Sequence, residues 1–495
     1  MKKSSVLLCL IIAGNIATSK NLTGYWNGVI KVPGKQFRIG FNINQTDKGF
    51  IATMDSPDQG VKRVKVSKTS LDNDVVKFIL TESQIEYVGN FVGDDSISGT
   101  LTQIGHPFSV GLLKGIPDTL VRPQLPKKPH PYYTEDITFT NKKDKIGFSG
   151  TLTLPKKTGN FPAVVILSDF GSQNRNGDIA DHKPYLVIAD YLTKNGIAVL
   201  RFDDRGTGES QGDYKTASTL EFKSDVEAAL EYLQLRPEVN KQHIGLIGHG
   251  EGAVIAPMIA SKMIDIDFIV LLAGAGIPGN SLLLKQQESI GVAKNLNKAE
   301  LAKSVELNKG AYDIIQKSAN TDKLKSALKV YFKTALKDTT KNIVAKSVTL
   351  NQKLTKQDSI KIHIQDSINV KLAKADSLKK VEFTNKQIEI LTSPWMQYFV
   401  KYNPALTLEK VKCPVLIYNG ARDLQVSPIV NLDAMVAALQ KGGNAKYDTK
   451  AFPTLNHYFQ PSKTGLPSEY GEIEQTFSPQ VLDEMTKWIN IKIKE

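Results

Sequence analysis

The sequence predicts an α/β protein: a mostly parallel sheet flanked by helices, with a helical cap, preceded by a small antiparallel β domain. Three observations lead to this prediction. Short runs that alternate apolar and polar residues fill positions 20–115, and from position 135 long apolar runs alternate with amphipathic segments. Between about 281 and 395 a lysine-rich segment of helical period interrupts that alternation. The 495 residues, 41% of them hydrophobic, suffice for more than one core.

The first 19 residues predict a secretory signal peptide. They contain two lysines, a short apolar run and then small residues, with Ala17-Thr18-Ser19 as the expected cleavage site. After cleavage only Cys413 remains, so no intramolecular disulfide can form. No later stretch is apolar for long enough to cross a bilayer. We therefore expect an exported protein, periplasmic or secreted, without an integral membrane segment once the signal is removed.

The charge pattern argues against a nucleic-acid partner. The net charge is +13, but the lysines are spread along the chain and do not alternate with aromatic residues. A solvated lysine-rich surface explains this charge better than a nucleic-acid interface does.

Residues 20–115 predict an antiparallel barrel or sandwich of roughly eight short strands. Alternating runs such as "FRIGFNI" and "VVKFIL" are separated by turn-forming sequences such as "VPGK" and "LDND". Residues 116–134 follow as a proline-rich linker, which we expect to be extended because proline excludes helix and central strand.

Residues 135–495 predict the α/β domain, with the cap inserted at about 281–395. The predicted strands are "AVVILSDF", "IAVLRFDD", "HIGLIGHG", "FIVLLAG", "PVLIYNG" and "KYDTKAF". The predicted helices of the main layer are "KPYLVIADYLTKNG", "LEFKSDVEAALEYLQ", "GAVIAPMIASKM", "IVNLDAMVAALQ" and "SPQVLDEMTKWINIKIK".

The stretch "IGLIGHGEGAVIAP", residues 244–257, has the pattern of a nucleophile elbow, a sharp strand-to-helix turn that projects a nucleophile from its apex. Gly248 and Gly252 flank the apex, where glycine lets neighbouring backbone pass without a clash at Cβ. The apex itself is Gly250, where a hydrolase carries serine.

The acid and base of a catalytic triad can be sought further along the chain. Asp423 follows the strand "PVLIYNG", and His457 lies on a loop after the last predicted strand. Both should therefore face the elbow, in the order nucleophile, acid, base that a Ser-Asp-His relay on this kind of sheet needs.

An oxyanion hole needs two backbone N–H groups near the elbow. Glu251 supplies the first, and the loop "DFGSQNRNG" supplies the second from Phe170, Gly171 or Ser172. Arg175 in this loop either pairs with substrate or holds the loop, and the sequence does not separate these roles.

Residues 135–495 resemble the secreted bacterial α/β-hydrolases of the serine aminopeptidase-like or acyl-esterase-like type. The resemblance lies in the elbow and in blocks such as "IAVLRFDDRGTGES", "SPWMQYFVKYNPA" and "LNHYFQPSKTGLPSEYGEIEQTFSP". It implies the α/β-hydrolase fold and a hydrolase of carboxylic esters or peptides that uses no metal and no cofactor. It also implies that Asp423 and His457 are acid and base, and that Gly250 occupies the nucleophile position. The family has "GHSxG" where this chain has "GHGEG", and often a "GSGPQDR"-like loop where this chain has "DFGSQNR".

Loss of the serine is expected to disable the chemistry. In a serine-protease triad it lowers turnover by roughly 10⁶-fold, or around 8 kcal/mol of barrier. The sequence thus predicts a Ser-Asp-His hydrolase of esters or acyl-peptides that is inactive or strongly impaired, whether Gly250 is natural or was introduced. One alternative is a non-catalytic binding protein on the same fold. A remote one is a dinucleotide-binding turn, since "GHGEGA" fits G-x-G-x-x-A with Asp265 or Asp267 downstream.

Overall fold

The computed structural model describes residues 20–32, 35–57, 61–115, 122–335, 381–382 and 384–494. The predicted signal peptide, the first part of the linker (116–121) and the centre of the cap (336–380) lie outside these described residues. The chain divides into two compact units, residues 1–121 and 122–495, which are described separately.

The first unit is a single antiparallel sheet with spatial order β4-β3-β2-β1-β9-β8-β7-β6-β5. β4 and β5 are the two edges of this sheet, yet only Val66 and Ser67 separate them in the chain, so the sheet curls until its edges are close. The described strands number nine rather than roughly eight. They are β1 (Gly24–Val32), β2 (Lys35–Thr46), β3 (Gly49–Ser56), β4 (Val61–Lys65), β5 (Lys68–Asp72), β6 (Val75–Leu80), β7 (Ile85–Phe91), β8 (Ser96–Gln103) and β9 (His106–Lys114).

The core of the first unit lies inside this curl. Every second side chain of a strand points inward, which explains the alternation in the sequence. Trp26, Phe41, Phe78 and Tyr87 are fully buried, and the rings of Phe41 and Phe78 stack with centroids 4.2 Å apart.

The second unit contains an eight-stranded sheet with order β10-β11-β13-β12-β14-β15-β16-β17. β12 to β17 are parallel to one another, while β11 is antiparallel to both of its neighbours. The strands are β10 (Tyr133–Asn141), β11 (Ile146–Leu154), β12 (Phe161–Leu167), β13 (Ala198–Phe202), β14 (Val239–His249), β15 (Phe268–Leu272), β16 (Val415–Gly420) and β17 (Tyr447–Phe452). This order is that of the α/β-hydrolase fold, and the fold prediction is confirmed.

Helices cover both faces of this sheet. Helices α1 and α10 contribute to one apolar cluster, and α2, α3 and α9 contribute to the cluster on the opposite face. Helix α2 begins at a capping box in which Ser218 and Glu221 satisfy each other's backbone amides. The helices are α1 (Pro184–Lys194), α2 (Thr219–Leu235), α3 (Gly252–Ala260), α4 (Gly279–Ala293), α5 (Lys298–Lys317), α6 (Thr321–Ala335), α7 (Pro394–Lys401), α8 (Ala405–Leu408), α9 (Pro428–Lys441) and α10 (Pro479–Lys492).

The described part of the cap is helical and lies between β15 and β16 in the chain. Helices α5, α6 and α7 and the helical residues 384–391 share an apolar cluster that includes Tyr312, Leu324, Phe332 and Val400. Within the described ranges, no helix combines the length and the apolar character needed to cross a membrane.

The parallel strands bring four loops to one edge of the sheet. β12 and β14 are direct neighbours and end at Leu167 and His249, while β16 and β17 pair with each other and end at Gly420 and Phe452. The carboxyl ends of parallel strands lie at the same edge, which is where open α/β sheets place their binding crevices. The loops carrying Asp169, Gly250, Asp423 and His457 therefore converge there.

Candidate active site

The turn between β14 and α3 has the geometry of an elbow. Gly250 has φ +51°, a left-handed conformation that favours glycine. A Cβ on Gly248 would lie 2.2 Å from the carbonyl oxygen of Gly252, so the strand and the helix approach too closely for any side chain there. The glycines that the sequence analysis identified are thus required by this sharp turn.

His457 and Asp423 form a buried pair beside the elbow. His457 Nδ1 lies 2.8 Å from Asp423 Oδ2, and the two residues are 0% and 3% exposed. The other oxygen of Asp423 accepts hydrogen bonds from the backbone amides of Gln425 and Val426. The carboxylate is therefore fixed by its own loop and can in turn orient the imidazole, as the acid of a triad must.

On the far side of the imidazole lies Asp169, a residue for which the sequence analysis predicted no role. Its Oδ2 is 3.1 Å from His457 Nε2 and accepts a hydrogen bond from Tyr458 Oη, also at 3.1 Å. Its Oδ1 is only 1.6 Å from the point where a Cβ on Gly250 would stand. The carboxylate of Asp169 thus fills the space that a serine side chain at position 250 would need.

These buried groups set one another's charge. Burial lowers the pKa of His457, but the carboxylates of Asp423 and Asp169 outweigh burial and raise it to about 10. Burial raises the pKa of Asp169, but the charge of His457 outweighs burial and holds the pKa below its usual range. At neutral pH the arrangement is a carboxylate, an imidazolium and a carboxylate. In this state His457 can donate a proton but cannot accept one.

His249 holds the backbone of His457 in place. Its Nε2 donates to the carbonyl oxygen of His457 at 2.9 Å, and its Nδ1 accepts from Tyr185 Oη at 3.2 Å. Burial lowers the pKa of His249, so this ring is neutral and fixes the backbone that carries His457.

Of the predicted oxyanion donors, Gly171 is already engaged. Its amide donates to Tyr214 Oη at 3.0 Å, so in this arrangement it does not serve a substrate. The Phe170 ring packs edge-on against Trp395 and Phe399 of α7, and the oxyanion role of its amide stays a prediction. Glu251 precedes the first residue of α3, and the role of its amide as the oxyanion donor of the elbow stays a prediction.

The side chain of Glu251 points into the protein rather than to the apex of the elbow. It is 2% exposed, and its Oε1 accepts hydrogen bonds from Thr219 Oγ1 and from Trp395 Nε1 at 2.6 and 2.7 Å. Burial raises its pKa to about 7. Glu251 therefore connects the elbow to helix α2 and to the cap.

Arg175 holds the loop and is not available to a substrate. Its guanidinium forms a 2.7 Å ion pair with Asp203 and also donates to Glu209 and to the carbonyl of Gly150. The two roles that the sequence left open are thereby separated. Ser172 is exposed and hydrogen-bonds to the hydroxyl of Thr207, and it makes no described contact with His457.

A metal ion would need groups that are already occupied. Asp169, His249 and His457 each offer a ligand atom within 4.8 Å of the others. Both nitrogens of both imidazoles take part in the hydrogen bonds given above, so a metal would have to break at least two of them. The expectation of a metal-free site remains a prediction.

The dinucleotide interpretation of "GHGEGA" fails on geometry. Asp267 lies just before β15 and pairs with His243, while Asp265 also precedes that strand. Both acids are therefore at the amino end of β15, opposite the edge that carries Gly250. A ribose-binding acid would have to follow the strand.

Asp169 is the residue that the sequence analysis missed. The signal was present in "LSDF", because Leu167 of β12 pairs with Gly248 of β14 and an acid two residues beyond must lie beside the elbow. The nearby polar residues His249, Glu251 and Ser172 are all engaged in other hydrogen bonds. Sequence alone could not give the side-chain direction that separates Asp169 from these.

Comparison with known proteins shows the family of the chain. The model of the family described as serine aminopeptidase, S33 (Hydrolase_4) matches residues 177–459, more than half of the chain. Esterase EstD of Thermotoga maritima is 30% identical over 170 residues, which are 34% of this chain and 40% of that protein. Acyl-coenzyme A thioesterase 5 of Mus musculus is 27% identical over 154 residues, 31% of this chain and 33% of that protein. The chain thus matches less than half the length of either relative.

Among solved structures, the esterase Pf2001 of Pyrococcus furiosus aligns with 76% of this chain and 98% of its own, at 16% identity and a TM-score of 0.41. The matched family segment contains the elbow, Asp423 and His457. The chain belongs to the serine aminopeptidase S33 family of α/β-hydrolases.

Proposed function

We infer that this chain recognises carboxylic esters or acyl-peptides at the elbow, on a hydrolase scaffold whose serine-type turnover is absent or strongly impaired. The observation that carries this proposal is the elbow with Gly250 at its apex, next to an assembled His457–Asp423 pair. The relatives named as an esterase and as an acyl-coenzyme A thioesterase support an acyl substrate.

The step that this chain lacks is the activation of a serine hydroxyl. In a triad the base takes the proton of the serine hydroxyl, and the alkoxide attacks the carbonyl carbon. Gly250 has no hydroxyl, and the pKa of about 10 for His457 keeps its ring protonated at neutral pH. Activation of water by His457 is then slow, because the base must first lose its proton.

A non-catalytic binding protein is the second candidate. It is favoured by the place of Asp169, whose buried carboxylate fills the nucleophile position and pairs with His457. In that case an acyl ligand binds at the elbow and leaves unchanged. Export to the periplasm or beyond, directed by residues 1–19, remains part of the proposal for either candidate.

Three probes test this proposal on the full mature chain: a fluorophosphonate, ethyl butyrate and p-nitrophenyl acetate. We expect no fluorophosphonate adduct and no hydrolysis of ethyl butyrate above background, since no activated hydroxyl is present. We expect slow hydrolysis of p-nitrophenyl acetate that His457→Ala removes. An adduct on any serine, located by peptide mass spectrometry, would identify a nucleophile that this proposal denies. A thermal shift with NAD, absent with the acyl probes, would also contradict it.

A further inference from the structure

The geometry points to Asp169 as a carboxylate nucleophile that takes over the role of the missing serine for acyl donors with good leaving groups, namely thioesters and aryl esters. This inference rests on the proposed function, because it concerns the same elbow and the same acyl class. It limits the substrates that are turned over to thioesters and aryl esters, and it excludes alkyl esters and peptides.

The position of Asp169 places a carboxylate oxygen at the apex of the elbow. Asp169 Oδ1 lies 1.6 Å from the missing Cβ of residue 250, within the space from which a serine oxygen would attack. Asp169 reaches this space from the loop after β12, the strand next to the elbow strand. A reacting oxygen is thus present at the apex, although another residue carries it.

The two carboxylate oxygens of Asp169 differ in their hydrogen-bond partners. Oδ2 is held by Tyr458 Oη and by His457 Nε2, whereas Oδ1 has no hydrogen-bond partner among the described residues. Asp169 is only 4% exposed, and a buried ionised group with an unpaired oxygen is costly. A purely structural carboxylate would gain from pairing both oxygens, while a nucleophile needs free lone pairs on one of them.

The charge state also suits this chemistry. Asp169 is ionised, as a nucleophile must be, and the neighbouring His457 carries the proton that a leaving group requires. The same ion pair that prevents His457 from acting as a base for serine-type attack supplies the acid for carboxylate attack.

The first half-reaction forms a mixed anhydride. Asp169 Oδ1 attacks the carbonyl carbon of the acyl donor, a C–O bond forms, and the bond from that carbon to the thiolate or aryl oxide breaks. The leaving group takes the proton of His457 Nε2. The glutamate at the elbow, Glu251, offers its backbone N–H to the oxyanion, as predicted for this position.

The second half-reaction returns the enzyme to its starting state. Acylation removes the negative charge of Asp169, and with it one of the two carboxylates that raise the pKa of His457. The neutral His457 then accepts a proton from water, and the hydroxide attacks the anhydride. Carboxylic acid leaves, Asp169 is again a carboxylate and His457 is again an imidazolium, so that one water is consumed per acyl group.

Leaving-group strength sets the substrate class. Carboxylate is a weak base and leaves a tetrahedral adduct readily, so the adduct reverts unless the departing group of the substrate also leaves well. Thiolates and aryl oxides meet this condition, whereas alkoxides and amide nitrogens do not.

Borohydride trapping on the wild-type chain tests this directly. Under single turnover with p-nitrophenyl acetate, borohydride should reduce the anhydride and convert Asp169 to homoserine, which peptide mass spectrometry locates. The exposed Asp433 in the same digest is the internal control and should stay unchanged. Asp169→Asn should lose the trapped product, and only the slow hydrolysis by water that His457 activates should remain. Absence of homoserine at position 169 while turnover proceeds would overturn the inference.

Borohydride trapping of the wild type and fluorophosphonate labelling of a double variant together distinguish failure of this inference from failure of the proposed function. If Gly250→Ser combined with Asp169→Gly reacts with a fluorophosphonate but the wild type gives no trapped Asp169, the acyl-hydrolase scaffold stands and the carboxylate nucleophile does not. If the double variant fails to react although it is folded by circular dichroism, the proposed function itself fails.

Discussion

The double variant Gly250→Ser/Asp169→Gly is expected to become a serine hydrolase, whereas Gly250→Ser alone stays inactive. A side chain at position 250 would place its Cβ 1.6 Å from Asp169 Oδ1, so the single variant must displace a buried, ion-paired carboxylate. Removing that carboxylate vacates the space and takes away one of the two charges that raise the pKa of His457. The histidine can then act as a base for the new hydroxyl.

Glycine is preferred to alanine at position 169, because the Cβ of Asp169 would lie only 3.3 Å from the new Cβ at position 250. Serine at φ +51° costs about 1–2 kcal/mol of backbone strain, which is less than the net stability of a typical folded protein. Since loss of a triad serine costs roughly 10⁶-fold, we expect the double variant to hydrolyse ethyl butyrate at least about 10³-fold faster than the wild type.

Fluorophosphonate labelling and ethyl butyrate hydrolysis measure this effect in four chains: the wild type, both single variants and the double variant. Asp169→Gly alone is the matched control, because it opens the space without adding a hydroxyl. Full activity in Gly250→Ser alone would mean that Asp169 moves aside at no cost, and would contradict the place assigned to its carboxylate.

Asp423→Ala is expected to cause the largest loss of stability among substitutions at the site, about 3–5 kcal/mol in the free energy of unfolding. The change leaves the imidazolium of His457 buried without its closer carboxylate at 2.8 Å. It also leaves the amides of Gln425 and Val426 without their acceptor. Buried donors that lose their partner cost more than the average hydrogen bond contributes.

Urea denaturation followed by circular dichroism measures this loss. The matched control is Asp433→Ala, an exposed aspartate on α9, which should change the free energy of unfolding by less than about 0.5 kcal/mol. Equal effects of the two substitutions would mean that Asp423 is not held in a buried pair.

The parallel sheet was predictable because its strands are buried on both faces. A short, continuous apolar run such as that of β15 is typical of a strand in a parallel sheet. All six strands predicted for the α/β domain are present. The β10–β11 hairpin was missed, since "YTEDITFTN" and "IGFSGTLTL" are rich in polar and small residues that do not distinguish an edge hairpin from a loop.

The site was predictable only as far as strand order determines it. Asp423 and His457 could be placed beside the elbow because each follows a strand of the same parallel sheet. The place of Asp169 depends on a side-chain direction that periodicity does not contain. Whether the amide of Gly171 is free for a substrate depends likewise on Tyr214, which lies 43 positions away in the chain.

The central claim is that the Asp169 carboxylate stands where the serine would be and keeps His457 charged. Nitrogen-15 NMR of histidine-labelled protein across a pH titration tests it most directly, with His457→Gln to assign the signal among the seven histidines. The wild-type His457 should remain an imidazolium at pH 8 and lose its proton near pH 10, far above the usual value of 6.5, because two carboxylates face it. In Asp169→Asn the pKa should fall. A wild-type His457 that is already neutral at pH 8, with no change in Asp169→Asn, would contradict the claim.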